Sequence, residues 1–238
     1  MAKLYGIGVG PGDKDLISQR AIGVLDHVDV IFTPISKMGR KSVALGIAED
    51  YIPETTRIEE REFPSTRERS ITRPLWQAII KEIEEEIDRG NNVAFITLGD
   101  PSTYSTYSYL VKHMEEGYEV ETIAGITSYQ HISSIFNRPL VLDDEALAVV
   151  PATADEGKIR AALENFDTIV LMKISRHLAK VLPILEDLGL EDSFVIVSEA
   201  SRERENVIYP EDLDPQGKLP YFSTMMVYKS RWRDESEG

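Results

Sequence analysis

Short apolar runs typical of β-strands alternate with amphipathic helical patterns along the whole 238-residue chain. Buried-type strand runs such as 92–98 (NVAFITL) are followed by segments whose apolar residues recur every three or four positions. This alternation predicts an α/β fold with mostly parallel sheets. Two sets of about five strand runs are too many for one open sheet. We therefore expect two α/β domains, residues 1–125 and 126–238.

Four local patterns give sharper expectations. The most regular helical pattern covers 74–89, where Pro74 suits the first turn. The acidic run on its other face is interpreted as solvated. Segment 56–62 alternates like a strand with two polar faces and is predicted near a sheet edge. A helix around 178–188 contains Pro183, which forbids one internal hydrogen bond, so we expect it to begin late or to kink there.

Composition excludes several classes of function. With 41 acidic and 26 basic side chains, the net charge is −15, which disfavours binding to a nucleic-acid backbone. The absence of cysteine excludes a disulfide framework, zinc thiolates and a cysteine nucleophile. The four histidines are scattered, so no metal site is expected. No apolar stretch approaches the length of a membrane span, and Met1 leads directly into a strand pattern, so we expect a cytoplasmic protein without membrane contact.

A glycine-rich segment, 6–13 (GIGVGPGD), follows the first strand. Glycine lets the backbone approach a ligand or a neighbouring loop closely. A dinucleotide fingerprint would need glycine where Asp13 stands, and Pro11 removes a backbone donor. A tight turn between strand and helix is the alternative. A Walker-type phosphate loop is excluded because no lysine followed by Ser or Thr closes the glycines.

Two further polar segments also stand where strands end. Segment 98–106 (LGDPSTYST) places five hydroxyl side chains in five consecutive positions, more than helix capping needs. Segment 124–128 (AGITS) opens a helix, and a plain N-cap at Thr127 or Ser128 would also explain it. In open α/β sheets, ligands bind beside the carboxyl ends of strands. Both segments are therefore candidates for a ligand site.

Together, GVGPGD, LGDPSTYST and AGITS resemble the tetrapyrrole methyltransferases in order and in spacing, over nearly the whole chain. Within that family, STYST after GDP, segment 34–48 and segment 220–226 look most like the enzymes that act on C-20 of precorrin-2 in cobalamin synthesis. Ala124 departs from the proline that many relatives have. The resemblance implies two α/β domains with S-adenosylmethionine (SAM) in the cleft between them, usually in a homodimer.

Carried over by motif, the resemblance implies a set of SAM-binding residues: Pro11, Gly99, Asp100, Thr103, Tyr104, Thr127, Ser128, Met172, Ala200 and Thr224. Ordinary strand packing is the alternative explanation for Met172. No catalytic residue is assigned, and three side chains stay candidates for a general base that removes the meso proton: Tyr104, Tyr221 and Asp100.

The tetrapyrrole substrate of this family carries eight carboxylates, so basic side chains are expected around it. Lys37, Arg40 and Lys41 cluster after the second strand and are the candidate substrate-binding residues, with Arg40 preferred because a guanidinium pairs with carboxylates in a bidentate manner. Surface solubility is the alternative reason for this cluster. Two other basic groups are weaker candidates: Arg67, Arg69 and Arg73, and Arg176, Arg202 and Arg204.

The resemblance therefore implies SAM-dependent methyl transfer to the C-20 meso carbon of precorrin-2 or of its cobalt form. One alternative is a methyltransferase of the same family that acts on another tetrapyrrole position or on a diphthamide precursor. An alternative of another class is a nucleotide-binding oxidoreductase or regulatory module, which would explain the glycine turn but not the GDPSTYST segment.

Overall fold

The structure is a computed structural model that describes residues 1–35, 42–63 and 68–230. The chain divides into two compact units, Met1–Thr127 and Ser128–Gly238. The division falls two residues beyond the boundary proposed from the sequence.

The first unit alternates strands and helices, with short 3₁₀ turns at Lys14–Leu16 and Glu49–Tyr51. Its elements are β1 (Leu4–Gly8), α1 (Gln19–Leu25), β2 (Val30–Ile35), α2 (Val43–Ala48), β3 (Arg57–Glu62), α3 (Arg69–Asp88), β4 (Val93–Thr97), α4 (Tyr107–His113) and β5 (Val120–Ile123). The strands pair in the order β3-β2-β4-β1-β5, and every pair is parallel. The sequence predicted this parallel sheet, and β3 lies at its edge as expected.

Helices cover both faces of the first sheet. On one face, α3 and α4 pack on Leu4, Phe32 and Phe95; on the other, α1 and α2 pack on Ile7 and Ile31. Strands with both faces buried need apolar residues at every position, which explains the continuous apolar run of β4.

The second unit also contains five strands. Its elements are α5 (Ser128–Ile135), β6 (Leu147–Pro151), α6 (Glu156–Asn165), β7 (Thr168–Met172), α7 (Leu178–Asp187), β8 (Phe194–Ser198), β9 (Asn206–Ile208) and β10 (Ser223–Tyr228). The strand order is β6-β7-β10-β8-β9. Helices α6 and α7 pack on one face of this sheet, and α5 packs on the other through Ile132.

The expectation of a mostly parallel sheet is wrong for the second unit. Only β6 and β7 are parallel, whereas β10 runs antiparallel to both β7 and β8, and β8 runs antiparallel to β9. Antiparallel neighbours need no crossover helix. The segment between β8 and β10 supplies only β9 and a 3₁₀ turn at Pro210–Asp212, which strand-and-helix counting does not detect.

Two proline-based expectations are corrected. Helix α3 begins at Arg69, not at Pro74, so Pro74 lies inside the helix. Helix α7 begins at Leu178 and includes Pro183, so the late start is wrong, whereas the alternative of a kink at Pro183 stays a prediction. Proline in a helix removes one hydrogen bond. In both helices, apolar side chains buried against the sheet outweigh that loss.

The acidic face of α3 is not simply solvated. Glu86 is only 6% exposed, and Arg57 of β3 and Arg89 lie within ion-pair distance of it, at 2.6 and 2.5 Å. Glu82 pairs with Arg61 of β3 at 2.7 Å. These pairs tie α3 to the edge strand, which the charge pattern of the helix alone does not reveal.

Candidate active site

Three polar loops of the first unit meet at the carboxyl edge of its sheet, after β1, β4 and β5. Strands β1 and β4 are neighbours, but β1 leads to α1 on one face and β4 leads to α4 on the other. Their connections therefore leave the sheet in opposite directions. Such a switch point opens a crevice at the strand ends, which is where open α/β sheets bind ligands.

Glycine backbones join these three loops directly. Gly10 and Gly99 form a two-residue bridge, with N–H···O distances of 3.3 and 2.7 Å. A Cβ atom at Gly125 would lie 2.2 Å from the Gly99 carbonyl oxygen and 2.8 Å from the Cα of Gly8. A side chain cannot occupy that space because all of its neighbours are backbone atoms. Each of the three motifs therefore supplies a glycine that the others require.

The first glycine of the GIGVGPGD segment has a different role. Tyr107 of α4 lies across Gly6, where a Cβ would come within 2.0 Å of the ring. The Tyr107 hydroxyl hydrogen-bonds Thr122 of β5 at 2.8 Å. Burial raises the pKa of this phenol, and the Thr122 hydrogen bond opposes the shift. Packing within the protein thus accounts for Gly6, Gly8 and Gly10, which favours a tight turn over a dinucleotide fingerprint.

Asp100 fastens two of the loops together. One of its carboxylate oxygens accepts a hydrogen bond from the Gly125 backbone N–H at 2.9 Å. The other accepts from the Ser102 backbone N–H at 2.8 Å and from the Ser102 hydroxyl. Three protein donors therefore occupy a group that offers about four acceptor positions. This carboxylate shapes the site before any ligand arrives.

The five hydroxyls after Asp100 divide by role. Ser102 binds Asp100, and buried Ser105 bonds Thr97 at 2.9 Å and accepts from the Tyr107 N–H at 3.2 Å. Thr106 precedes α4 without a side-chain capping bond. Within the described residues, the half-buried Thr103 hydroxyl makes no hydrogen bond to protein. Thr103 and Thr106 are therefore the hydroxyls that the loop leaves available, and Thr103 is the one that the motif assigns to a ligand.

Tyr104 and Pro11, two further candidates from these loops, differ in exposure. Tyr104 is 44% exposed and has a φ of +52°, a left-handed conformation that costs a bulky residue about 1–3 kcal/mol. Pro11 is buried. Strain of this kind clusters at functional sites, so Tyr104 stays a candidate for contact with a ligand.

Residues 127 and 128 join the two units in sequence. Thr127 is 6% exposed, so its side chain is buried. In the second unit, the Ser128 hydroxyl lies 3.4 Å from the hydroxyl of Thr224. Thr224 pairs with Met172 across β10 and β7. The second unit therefore brings three of its four candidates together: Ser128, Met172 and Thr224.

Met172 and Ala200 lie at the ends of β7 and β8, the same edge at which β10 begins. Met172 is half-buried and packs against the apolar cluster beneath α5, so strand packing explains at least part of its side chain. Ala200 is buried in the same cluster. A buried hydroxyl pair, Ser198 and Ser223 at 2.8 Å, closes this edge.

Sequence reasoning missed the backbone strain at this second edge. Lys173, Glu199 and Ser201 all have positive φ values, 62°, 55° and 66°. Glycine or asparagine would normally mark such positions, and neither is present. The segment 198–205 (SEASRERE) carries no local mark of this strain, because its contact with the distant His131 of α5 is not visible in the sequence.

The candidate substrate-binding residues Lys37, Arg40 and Lys41 lie outside the described residues, as does Arg67. Arg73, Arg176 and Arg204 are exposed, whereas Arg202 pairs with Glu199 and lies over the Phe222 ring at 5.3 Å. Tyr221 is 57% exposed, with its ring edge-on to Phe222.

The described part of the chain contains no group of three or more acidic, histidine or cysteine side chains that could hold a metal ion. Likewise, none of its helices is long and apolar enough to cross a membrane.

Comparison with known proteins identifies the family. Residues 3–213 match the family model described as tetrapyrrole (corrin/porphyrin) methylases. The chain is 33% identical to a cobalt-precorrin-2 C(20)-methyltransferase of Salmonella typhimurium over 95% of its length and 96% of the relative's. It is 38% identical to a probable cobalt-precorrin-2 C(20)-methyltransferase of Methanocaldococcus jannaschii, with 87% and 86% covered. The chain belongs to the tetrapyrrole methylase family.

A solved structure supports the fold. The crystal structure of uroporphyrin-III C-methyltransferase from Thermus thermophilus, complexed with S-adenosylhomocysteine, aligns with a TM-score of 0.70 at 17% identity. The alignment covers 96% of this chain and 98% of that one. The α/β architecture expected from the sequence is therefore confirmed, with the correction to the second sheet given above.

Proposed function

We propose that the protein transfers a methyl group from SAM to the C-20 meso carbon of precorrin-2, and that it prefers the cobalt-loaded form. The observation that carries this proposal is the pair of relatives, at 33% and 38% identity over most of the chain, whose names specify both the position and the cobalt form. Cobalt is part of the substrate here and not a metal held by the protein.

The first unit's loops suit SAM in chemical terms. SAM supplies an electrophilic methyl group on a positively charged sulfur. The Asp100 carboxylate brings negative charge to the loop edge, and the Thr103 hydroxyl, which bonds to no described residue, offers a donor and an acceptor. We assign Pro11, Gly99, Asp100, Thr103, Tyr104 and Thr127 to its binding. In the second unit, Ser128 adds a further contact, and Met172, Ala200 and Thr224 are assigned to the adenine side.

Positioning accounts for much of the expected rate. The meso carbon of a reduced tetrapyrrole is electron-rich, so the protein has to align carbon, methyl and sulfur and exclude water. Good alignment is worth about 7–11 kcal/mol, compared with about 3–5 kcal/mol for one proton transfer. Among the candidates for the later removal of the meso proton, Asp100 is the weakest, because three protein donors already occupy its oxygens. Tyr104 and Tyr221 keep exposed rings.

The test is methyl transfer to each form of the substrate. The purified protein is incubated with SAM and either cobalt-precorrin-2 or metal-free precorrin-2, and mass spectrometry with fragmentation locates the added methyl. We expect one methyl at C-20, formed faster with the cobalt form. Methylation at another ring position, or only of a diphthamide precursor, would contradict the proposal. Titration with a nicotinamide dinucleotide serves as the binding control, and no binding is expected.

The proposal includes a cytoplasmic homodimer, by resemblance to the family. Light scattering of the purified protein measures the mass directly. A mass of about twice the chain's 26.8 kDa is expected. A monomer at the concentrations used for the activity assay would contradict this part of the proposal.

A further inference from the structure

The turn that follows β8 is strained on both sides of Ala200. Glu199 and Ser201 have φ values of 55° and 66°, and neither is a residue that adopts the left-handed region readily. Such a turn persists only where surrounding contacts determine it. Ala200 belongs to the edge where β7, β8 and β10 end or begin, beside the candidate SAM-binding residues of the second unit.

Glu205 supplies contacts that hold this turn. Its Oε2 accepts a hydrogen bond from the Ser201 backbone N–H at 2.5 Å. The same oxygen accepts from Nε2 of His131 at 3.0 Å. Both side chains are mostly shielded from solvent, with 19% of His131 and 26% of Glu205 exposed. The turn is thereby attached to helix α5, which lies far away in sequence.

His131 connects the turn to the rest of the candidate edge. It stands three residues after Ser128, and residues at that spacing lie on neighbouring positions of one helix face. Ser128 approaches Thr224, which in turn pairs with Met172. The turn at Ala200 is therefore attached through Glu205 and His131 to the helix that begins at Ser128, whose hydroxyl approaches that of Thr224.

We propose that Glu205 and His131 are a positioning pair for SAM: they hold Ala200 and the strained turn in the conformation that receives the adenosine part of the molecule. Neither side chain touches SAM in this proposal. It rests on the proposed function, because it assumes that this edge binds SAM. It adds two residues that the sequence motifs do not mark.

The experiment compares S-adenosylhomocysteine (SAH) affinity in Glu205→Ala, Glu205→Gln and wild type by calorimetry. Glu205→Ala removes both hydrogen bonds, and we expect the Kd to rise at least tenfold. Glu205→Gln keeps a side-chain oxygen that accepts both donors, and we expect it to restore the Kd to within about threefold of wild type. The matched control is Glu203→Ala, an exposed glutamate of the same turn, with an unchanged Kd.

Steady-state kinetics separate positioning from general destabilisation. In Glu205→Ala, we expect the KM for SAM to rise at least tenfold while the tetrapyrrole KM, measured at saturating SAM, changes less than twofold. A purely structural role would lower the melting temperature but leave the Kd of the folded protein unchanged. That result, or a Gln variant as weak as the Ala variant, would overturn the proposal.

A second variant keeps the test decisive if Glu205→Ala does not fold. His131→Leu leaves the Glu205–Ser201 hydrogen bond in place and removes only the anchor to α5. We expect a three- to tenfold rise in the SAH Kd, and a folded variant with wild-type affinity overturns the inference. A wild-type protein that binds no SAH would instead contradict the proposed function itself, so the two failures are distinguishable.

Discussion

The two units fix their strand-end loops by different means. In the first unit, the loops after β1, β4 and β5 contact one another through backbone atoms of four glycines: Gly8, Gly10, Gly99 and Gly125. In the second unit, side chains hold the corresponding edge, through Glu205 with His131 and through the Ser198–Ser223 pair. Backbone contacts tolerate almost no change of residue, whereas side-chain contacts can be replaced by others. The first edge should therefore be the less tolerant of substitution.

The largest loss of stability is expected for Gly125→Ala. The new Cβ would lie 2.2 Å from a carbonyl oxygen that cannot rotate away, so the loops must separate. We expect a loss of about 3 kcal/mol or more in the free energy of unfolding. Urea denaturation followed by the fluorescence of Trp76, which is buried in the first unit, measures it.

Gly46→Ala is the matched control for Gly125→Ala. Gly46 lies within α2, and a Cβ there meets nothing within 4 Å. Because alanine favours helix over glycine by about 1 kcal/mol, this variant should be slightly more stable than wild type. If both variants unfold at the same urea concentration, the three-loop contact does not determine the edge.

The next largest effect is expected for Asp100→Ala. The substitution leaves the backbone N–H groups of Gly125 and Ser102 without their carboxylate. An unsatisfied, partly buried donor costs about 1–3 kcal/mol, so we expect a loss of about 2 kcal/mol in unfolding free energy together with at least tenfold weaker SAH binding. Asp100→Asn keeps one acceptor oxygen, so its unfolding free energy and SAH affinity should lie between those of wild type and Asp100→Ala. Equal unfolding free energies would show that the carboxylate does not fasten the loops.

The difference between the two edges also explains which parts of the candidate site could be predicted from the sequence. Glycines and the GDP motif are local marks, so the three loops of the first unit were all found as candidate segments. The parallel first sheet was also predicted, because each of its strands carries a continuous apolar run or alternates with a helix. The order of the strands in a sheet is a tertiary property, and no local pattern in the sequence carried it.

The sequence predicted the second unit less accurately than the first, for physical reasons. Strand β10 enters between β7 and β8 in the antiparallel direction, and no local pattern specifies the direction in which a strand runs. The positive φ values of Lys173, Glu199 and Ser201 carry no glycine signal. The contact of Glu205 with His131 spans 74 residues. Long-range side-chain pairs of this kind become visible only in the folded chain.

A smaller effect is expected for Glu86→Gln, which tests the charged edge of the first unit. Burial raises the pKa of Glu86, but hydrogen bonds from Asn91 and Arg57 outweigh it, so the net pKa is lowered. A carboxylate with a lowered pKa stabilises the fold above its unfolded pKa of about 4.3, and this stability is lost as the pH falls through the folded value. We expect wild type to exceed the variant by about 1 kcal/mol near pH 7.

The pH dependence makes this prediction specific. The difference between wild type and Glu86→Gln should shrink as the pH falls from the unfolded pKa of about 4.3 through the lower folded pKa of Glu86. Urea denaturation at a series of pH values follows it. Asp187→Asn in the second unit is the control: its pair with Arg160 is largely exposed and should contribute less than about 0.5 kcal/mol at any pH. A constant difference across the pH range would exclude the charge of Glu86 as the cause.

The smallest effect on stability is expected for Thr103→Val. This variant separates ligand binding from loop stability at the edge of the first unit. Asp100 and Thr103 stand three residues apart in one loop. The Asp100 carboxylate hydrogen-bonds the Gly125 backbone, whereas the hydroxyl of Thr103 bonds to no described residue of the protein. Valine keeps the shape of threonine, so the unfolding free energy should change by less than about 0.5 kcal/mol. The SAH Kd should nevertheless rise about tenfold, because a ligand group buried against valine loses a hydrogen bond worth about 1–1.5 kcal/mol. Calorimetric titration and urea denaturation of the same preparation measure both quantities. A lower stability with unchanged SAH affinity would assign Thr103 to the loop instead, and the first unit's edge would then contact the ligand through its backbone and Tyr104.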